Sequence, residues 1–199
     1  MIQSFKGMVP VVHPSAYVHP NAVVIGHVTI GADCFVGAGA VLRGDWGRIE
    51  LSKGCNVQEN CVVHMFPGTT VHMAEGAHVG HGAIIHGAQL GAQCLIGMNA
   101  VIMDDVQVGT GCIVGALSFL KAGSTWPERR IIAGNPAKEI GAVSDDMYAH
   151  KVEGTALYQQ LPQDCHETLR EATALAVTPD NRQASFPEFE TWQQRRKGH

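Results

Sequence analysis

Along the first forty or so residues the apolar positions Val12, Val18, Val24, Ile30, Val36 and Leu42 stand six apart without a miss. Four places after the first five come Ala16, Ala22, Val28, Cys34 and Ala40, each small or β-branched. The template returns as Leu51, Val57 and Val63, and again as Leu90, Ile96, Ile102, Val108, Val114 and Leu120. Six residues carry an α-helix through about 600°, so successive slots would point in different directions. Three short strands per coil can use the pattern. Each six-residue unit is then one side of a triangular prism, with the apolar slot inward and a small residue or glycine at the corner. The pattern predicts a mainly β chain, a parallel β-helix over residues 8–140.

From Ser144 onward the hexad is lost. Ser144 is a suitable N-cap, and Asp145 and Asp146 place negative charge in a first helical turn. The spacing predicts a helix to about Leu161 stopped by Pro162, a second helical stretch around 163–176 and a loose tail, so that 141–199 form a C-terminal helical segment. Such a helix would pack along or cap the prism, whose open end otherwise exposes strand edges.

The lattice breaks in three places, and departures from a strict repeat are where function is expected. The step from Leu42 to Leu51 is nine residues, from Val63 to Met73 ten, and from Ile85 to Leu90 five. Counted in steps, Leu42, Val63 and Ile85 occupy one side of the prism on successive coils. Strand alternation turns the next residues, Arg43, His64 and His86, outward as one column. Val57 and Val79 share another side, with Gln58 and His81 just beyond them. His64 and His86 are thus adjacent rungs suited to one ion, and His81 reaches such an ion only from a neighbouring chain. Three prisms around a threefold axis would provide that. Three neutral imidazoles with one open position form a catalytic zinc pattern; iron or cobalt also suits these ligands. The competing reading makes them ordinary surface or corner histidines, as His13 and His19 are expected to be. Arg43 and Asp45 are either an ion pair or groups that orient a metal-bound water.

Composition narrows the classes. The chain has 199 residues, 45% hydrophobic and 16% charged, with 23 glycines, 11 histidines and a formal net charge of −4. No basic field is present to capture nucleic acid, and Arg195-Arg196-Lys197 reads as a solvated tail. No 18-residue apolar run spans a membrane, and the N-terminus lacks signal-peptide features, so a cytoplasmic protein is expected. No two of the six cysteines have CxxC spacing. Cys34, Cys55, Cys61, Cys94 and Cys112 fall on the small slot and read as reduced core residues.

Leu42-Arg43-Gly44-Asp45, Asn56-Val57-Gln58-Glu59, the following His64, and Gly80-His81-Gly82-Ala83-Ile84-Ile85-His86-Gly87 resemble the motifs of the γ-class carbonic anhydrase-like, hexapeptide-repeat proteins. Phe66-Pro67, the string Gly97 to Asp104, Gly154-Thr155 and Tyr158-Gln159 extend the likeness to the phenylacetic-acid-degradation and carnitine-operon branch. The resemblance implies a left-handed β-helix, a homotrimer, and zinc held between subunits by His64, His81 and His86. It places Arg43, Asp45 and Gln58 near the metal. It also implies hydrolysis of coenzyme A thioesters or hydration of carbon dioxide to bicarbonate. Trp46 and Pro67-Gly68-Thr69-Thr70 stand where the anhydrases carry proton-exporting carboxylates, and Glu59 replaces the usual aspartate. These departures favour a metal-dependent acyl-CoA hydrolase over a carbonic anhydrase, with an acyltransferase or a non-catalytic assembly protein as further alternatives. Candidate catalytic groups are Arg43, Asp45, Gln58 and Glu59; candidate substrate contacts are Trp46, Asn99 and Tyr158.

Overall fold

The six-residue rhythm becomes a parallel β-helix in the computed structural model, which describes residues 1–183 and 186–197. The first face stacks Val41–Leu42, Val62–His64, Ile84–His86, Val101–Ile102 and Phe119–Leu120. The second stacks Ile49–Leu51, Val71–Met73, Gln89–Leu90, Gln107–Val108 and Thr125–Trp126. The third runs from Tyr17–Val18 through Phe35, Asn56, His78, Leu95 and Ile113 to Arg130–Gly134, and is closed by an antiparallel strand, Ala137–Ala142. Strands thus begin at Ile2–Gln3, which pairs with Val24 and Ile25, and end at Ala142.

From Val24 onward every slot counted at six is inside, and Val12 and Val18 are half-buried against the same core. Val24, Leu42, Val63, Ile85, Ile102 and Leu120 are fully buried, as are the small-slot residues Ala22, Ala40, Cys61, Ala83 and Ala100. Each large aliphatic slot contributes about 1.5–3 kcal/mol by leaving water. The five small-slot cysteines are buried and reduced. Where three residues are inserted, the strand Val41–Leu51 runs on through the corner beside Val23–Ile30, with a register shift between Gly26 and Val28. Gly44 lies at that irregularity. A Cβ there would stand 2.7 Å from the His27 carbonyl oxygen, so the preceding coil leaves room only for hydrogen.

Helix α1, Asp145–Thr168, is capped by the Ser144 hydroxyl, which accepts from the Met147 amide at 3.2 Å. It does not stop at Pro162, which lies buried inside it. Tertiary anchors outweigh the one lost amide bond. The His166 ring nitrogen reaches the Ala16 carbonyl at 3.1 Å, and Gln160 and Gln163 pair with Asp164 and Glu167 one turn on. The expected second stretch at 163–176 is therefore partly absorbed into α1, and residues 169–176 are not helical. The helix runs down the third face from the last coils to the first. Tyr148 stacks under the Arg129 guanidinium at 4.1 Å, Lys151 Nζ donates to the Gly76 carbonyl at 2.9 Å, and Gln159 Nε2 donates to the Gly54 carbonyl at 3.2 Å. The tail returns as a short helix α2, Trp192–Lys197, in which Arg195 pairs with Glu153 at 2.7 Å. That basic cluster is thus docked at one residue instead of being wholly solvated. No described helix is long and apolar enough to cross a membrane.

Candidate functional site

The register aligns His86 with His64 on the first face, one rung beyond the Leu42–Val63 pair that carries Arg43 into the same column. Three departures from the hexad furnish this half of the site. The three-residue insertion brings Asp45 and Trp46, the four-residue insertion brings Phe66, and the shortened step places His86 at a corner before Asp104.

Each imidazole is held by a carboxylate. His64 Nε2 lies 3.1 Å from Asp45 Oδ1, and Asp45 also pairs with Arg43 at 3.3 Å. His86 Nδ1 lies 2.7 Å from Asp104 Oδ1. If both N–H groups donate to these carboxylates, the lone pairs of His64 Nδ1 and His86 Nε2 face each other at 3.3 Å. Burial pushes the His64 imidazole below the usual histidine range, against the raising pull of its Asp45 hydrogen bond, which keeps it neutral at pH 7. In those tautomers the two acceptors could hold a cation between them. Nitrogens at about 2.0–2.1 Å from a tetrahedral zinc stand about 3.3 Å apart. The Arg43 guanidinium, 3.3 Å from His64 Nδ1, supplies part of that charge. Trp46 and Phe66 flank the pair, their rings 5.3 Å from His64 and 5.1 Å from His86.

His81 lies elsewhere, at a corner beside the third face. Its Nδ1 meets Glu59 Oε2 at 2.6 Å, and Nε2 has no protein partner among the described residues. A carboxylate on Nδ1 repeats the pattern of His86, whereas His64 has its two nitrogens exchanged, with the carboxylate on Nε2. Within a single chain no group of three His, Cys, Asp or Glu donors converges among the described residues. The three histidines thus fall into two groups, His64 with His86 on the first face and His81 apart from them.

The remaining candidates divide. Gln58, a candidate catalytic group, makes no hydrogen bond to His64, His81 or His86 among the described residues. It is buried beneath α1, where its amide nitrogen donates to Asn56 Oδ1 at 3.0 Å and to His78 Nε2 at 2.7 Å. Asn99 occupies a corner with φ of +55°, and its backbone amide donates to the His81 carbonyl at 2.9 Å. It supports that corner through the backbone. Tyr158 projects from α1 onto His78, rings 4.9 Å apart, and shares a cavity with Glu59 and His81. Burial, then the nearby Glu59 charge, raises its phenol above the ordinary tyrosine value.

Sequence reasoning missed Asp104, Phe66 and His78. Asp104 lies eighteen residues after His86, yet the strand register sets Ile85 opposite Ile102, so stacking by register alone would have named Met103. His78 is a buried histidine whose Nδ1 is unpaired, and desolvation depresses its pKa to about 3. Only the docked helix makes it so.

Fold and repeat define a hexapeptide-repeat β-helix protein: residues 10–44 and 87–122 match the bacterial transferase hexapeptide family of six repeats. The carnitine operon protein CaiE of Escherichia coli K12 is 44% identical over 179 residues, covering 90% of this chain and 91% of that protein. The chain belongs to the hexapeptide-repeat family that includes CaiE, and its solenoid is accordingly left-handed. Among solved structures, a hexapeptide transferase family protein from Anaplasma phagocytophilum superposes with a TM-score of 0.78 at 30% identity, covering 81% of this chain and 96% of that one. A provisionally assigned acetyltransferase from Bacillus cereus gives 0.82 at 26% identity, covering 85% and 98%.

Proposed function

We propose that this protein is a metal-dependent hydrolase of coenzyme A thioesters, assembled as a homotrimer with a metal held between subunits by His64, His86 and a neighbour's His81. The observation that carries this reading is the facing pair of ring nitrogens on His64 and His86, with a third carboxylate-held imidazole waiting on a different face. A zinc ion bound there supplies Lewis acidity and an activated water near neutral pH.

The protein's own groups orient and exclude. Asp45, Asp104 and Glu59 fix the tautomers of His64, His86 and His81, so that the opposite nitrogens carry lone pairs. Arg43 holds Asp45 in place. Trp46 and Phe66 keep water from the rim and suit an acyl group. All three nearby carboxylates are engaged on imidazoles, which leaves none of them free to export protons rapidly and argues against carbon dioxide as the main substrate. The trimer finds support in exposed apolar residues, Val62 and Ile84 on the first face beside His64 and His86, and Met98 and Leu117 in the turns that stack near His81.

The relatives named as transferases favour a second reading, acyl transfer to an acceptor without a metal. Metal content, native mass and thiol release on an acyl-CoA panel separate the two. The expected result is three chains with about one zinc per chain, and hydrolysis lost on zinc removal and in His81→Ala. Thioester cleavage that persists in the zinc-free protein, or acylation only when an amine or hydroxyl acceptor is added, would overturn the hydrolase reading.

A further inference from the structure

Between α1 and the third face lies a cavity of about 800 Å³, within the range of small-molecule sites. Phe35, Leu157, Tyr158 and Leu161, with Phe186 and Pro187 of the tail, give it an apolar lining; Glu59 and His81 line it too, and Gln160, Asp164 and Thr168 add polar groups. The geometry points to this cavity as the seat of a neutral, apolar acyl chain. The thioester carbonyl then lies toward His81, and the coenzyme remains outside. This inference rests on the hydrolase reading for the identity of the substrate, but the cavity's preference for an apolar chain can be measured without turnover.

Three features select that ligand class. The helical residues at 157, 158 and 161 follow i, i+1, i+4 spacing and turn an apolar strip toward Phe35. No lysine or arginine lines the cavity, so it offers nothing to the phosphates of coenzyme A. Glu59 and Asp164 are its carboxylates, and their charge disfavours an acyl group that itself ends in a carboxylate. A carbon dioxide molecule would leave nearly all of this volume unused. The cavity also explains why the third face needs a helix at all at this height: Tyr158 and Leu161 cover Phe35 without filling the space beside it.

The test uses coenzyme A thioethers carrying ethyl, butyl, hexyl and octyl chains, which cannot be hydrolysed, with binding read by calorimetry. For the wild-type protein affinity should rise with chain length, by up to about fourfold per methylene at full burial. In Leu157→Trp the indole occupies the space, and the octyl-to-ethyl affinity ratio should collapse toward one. Leu161→Ala lengthens the cavity and should extend the gradient to decyl; it also answers the case in which the tryptophan variant fails to fold. Affinity independent of chain length in the wild-type protein, or a gradient that survives Leu157→Trp, would overturn the assignment. An intact gradient in a protein that hydrolyses no thioester would sink the hydrolase reading and leave the cavity standing. Zinc-dependent hydrolysis without a gradient would do the reverse.

Discussion

Lys151 is 6% exposed, and it bonds only neutral partners, the Gly76 carbonyl and the Gln93 Oε1, each at 2.9 Å. Burial depresses its pKa to about 8 from 10.5. A difference of that size corresponds to about 3 kcal/mol between the charged forms in the two states. Between roughly pH 8 and 10.5 the unfolded chain keeps the proton that the folded chain has released. The unfolded state then binds more protons, so this group makes stability rise with pH through that window. Below pH 8 the native state carries the full cost of the buried ammonium. Lys151→Met retains the length and the helix propensity but removes the titration. It also leaves two acceptors unpaired, at about 1–3 kcal/mol each, so the sign of its effect at pH 7 is not the diagnostic quantity. The pH dependence is. Urea unfolding at fixed protein concentration from pH 7 to 10.5 should show the wild-type protein gaining about 3 kcal/mol relative to the variant. Two stability curves that run parallel across this window would refute the claim that α1 desolvates the ammonium.

Three further outcomes follow from the same reasoning. Leu42→Ala empties a slot stacked between Val24 and Val63 and should cost about 2–5 kcal/mol in unfolding free energy; a loss under 1 kcal/mol would mean the coils collapse onto the cavity. His78, with its pKa near 3, binds fewer protons folded than unfolded between that value and about 6.5, so wild-type stability should fall as pH drops through this range. His78→Leu should flatten that acid limb in denaturant titrations, and an unchanged limb would contradict the burial argument. Asp104→Asn should weaken zinc binding about 10- to 100-fold in chelator competition, whereas wild-type affinity would deny Asp104 its hold on His86.

The β-helix was legible because its slots obey one period, and every interruption could be counted. Counting steps rather than residues put His64 opposite His86 and His81 on a different face, and the register pairs agree. What stayed hidden depends on the helix. Gln58 is expected beside the metal as a catalytic group, yet α1 covers that face and Gln58 is a buried partner of Asn56 and His78. Pro162 reads as a helix stop by local chemistry, and contacts to residues some 150 places earlier overrule it. Local periodicity carries no information about contacts that distant in sequence. Asp104 stayed hidden for a different reason: the shortened coil sets Ile85 opposite Ile102, and Asp104 reaches His86 from one place beyond the residue that register would select.

Helix α1 touches the late coil at Arg129, the middle coils at Gly76 and Gly54, and the first coil at Ala16. In a bare solenoid each coil knows only its neighbours, and unfolding can fray inward from either end one coil at a time. A rod clamped along several coils abolishes that independence. Loosening the first coil must tug on the last, so the molecule should come apart in one event, like a stack of cups bound by a strap. The His64–His86 pair on one face and His81 at a corner of another thereby keep a fixed spacing.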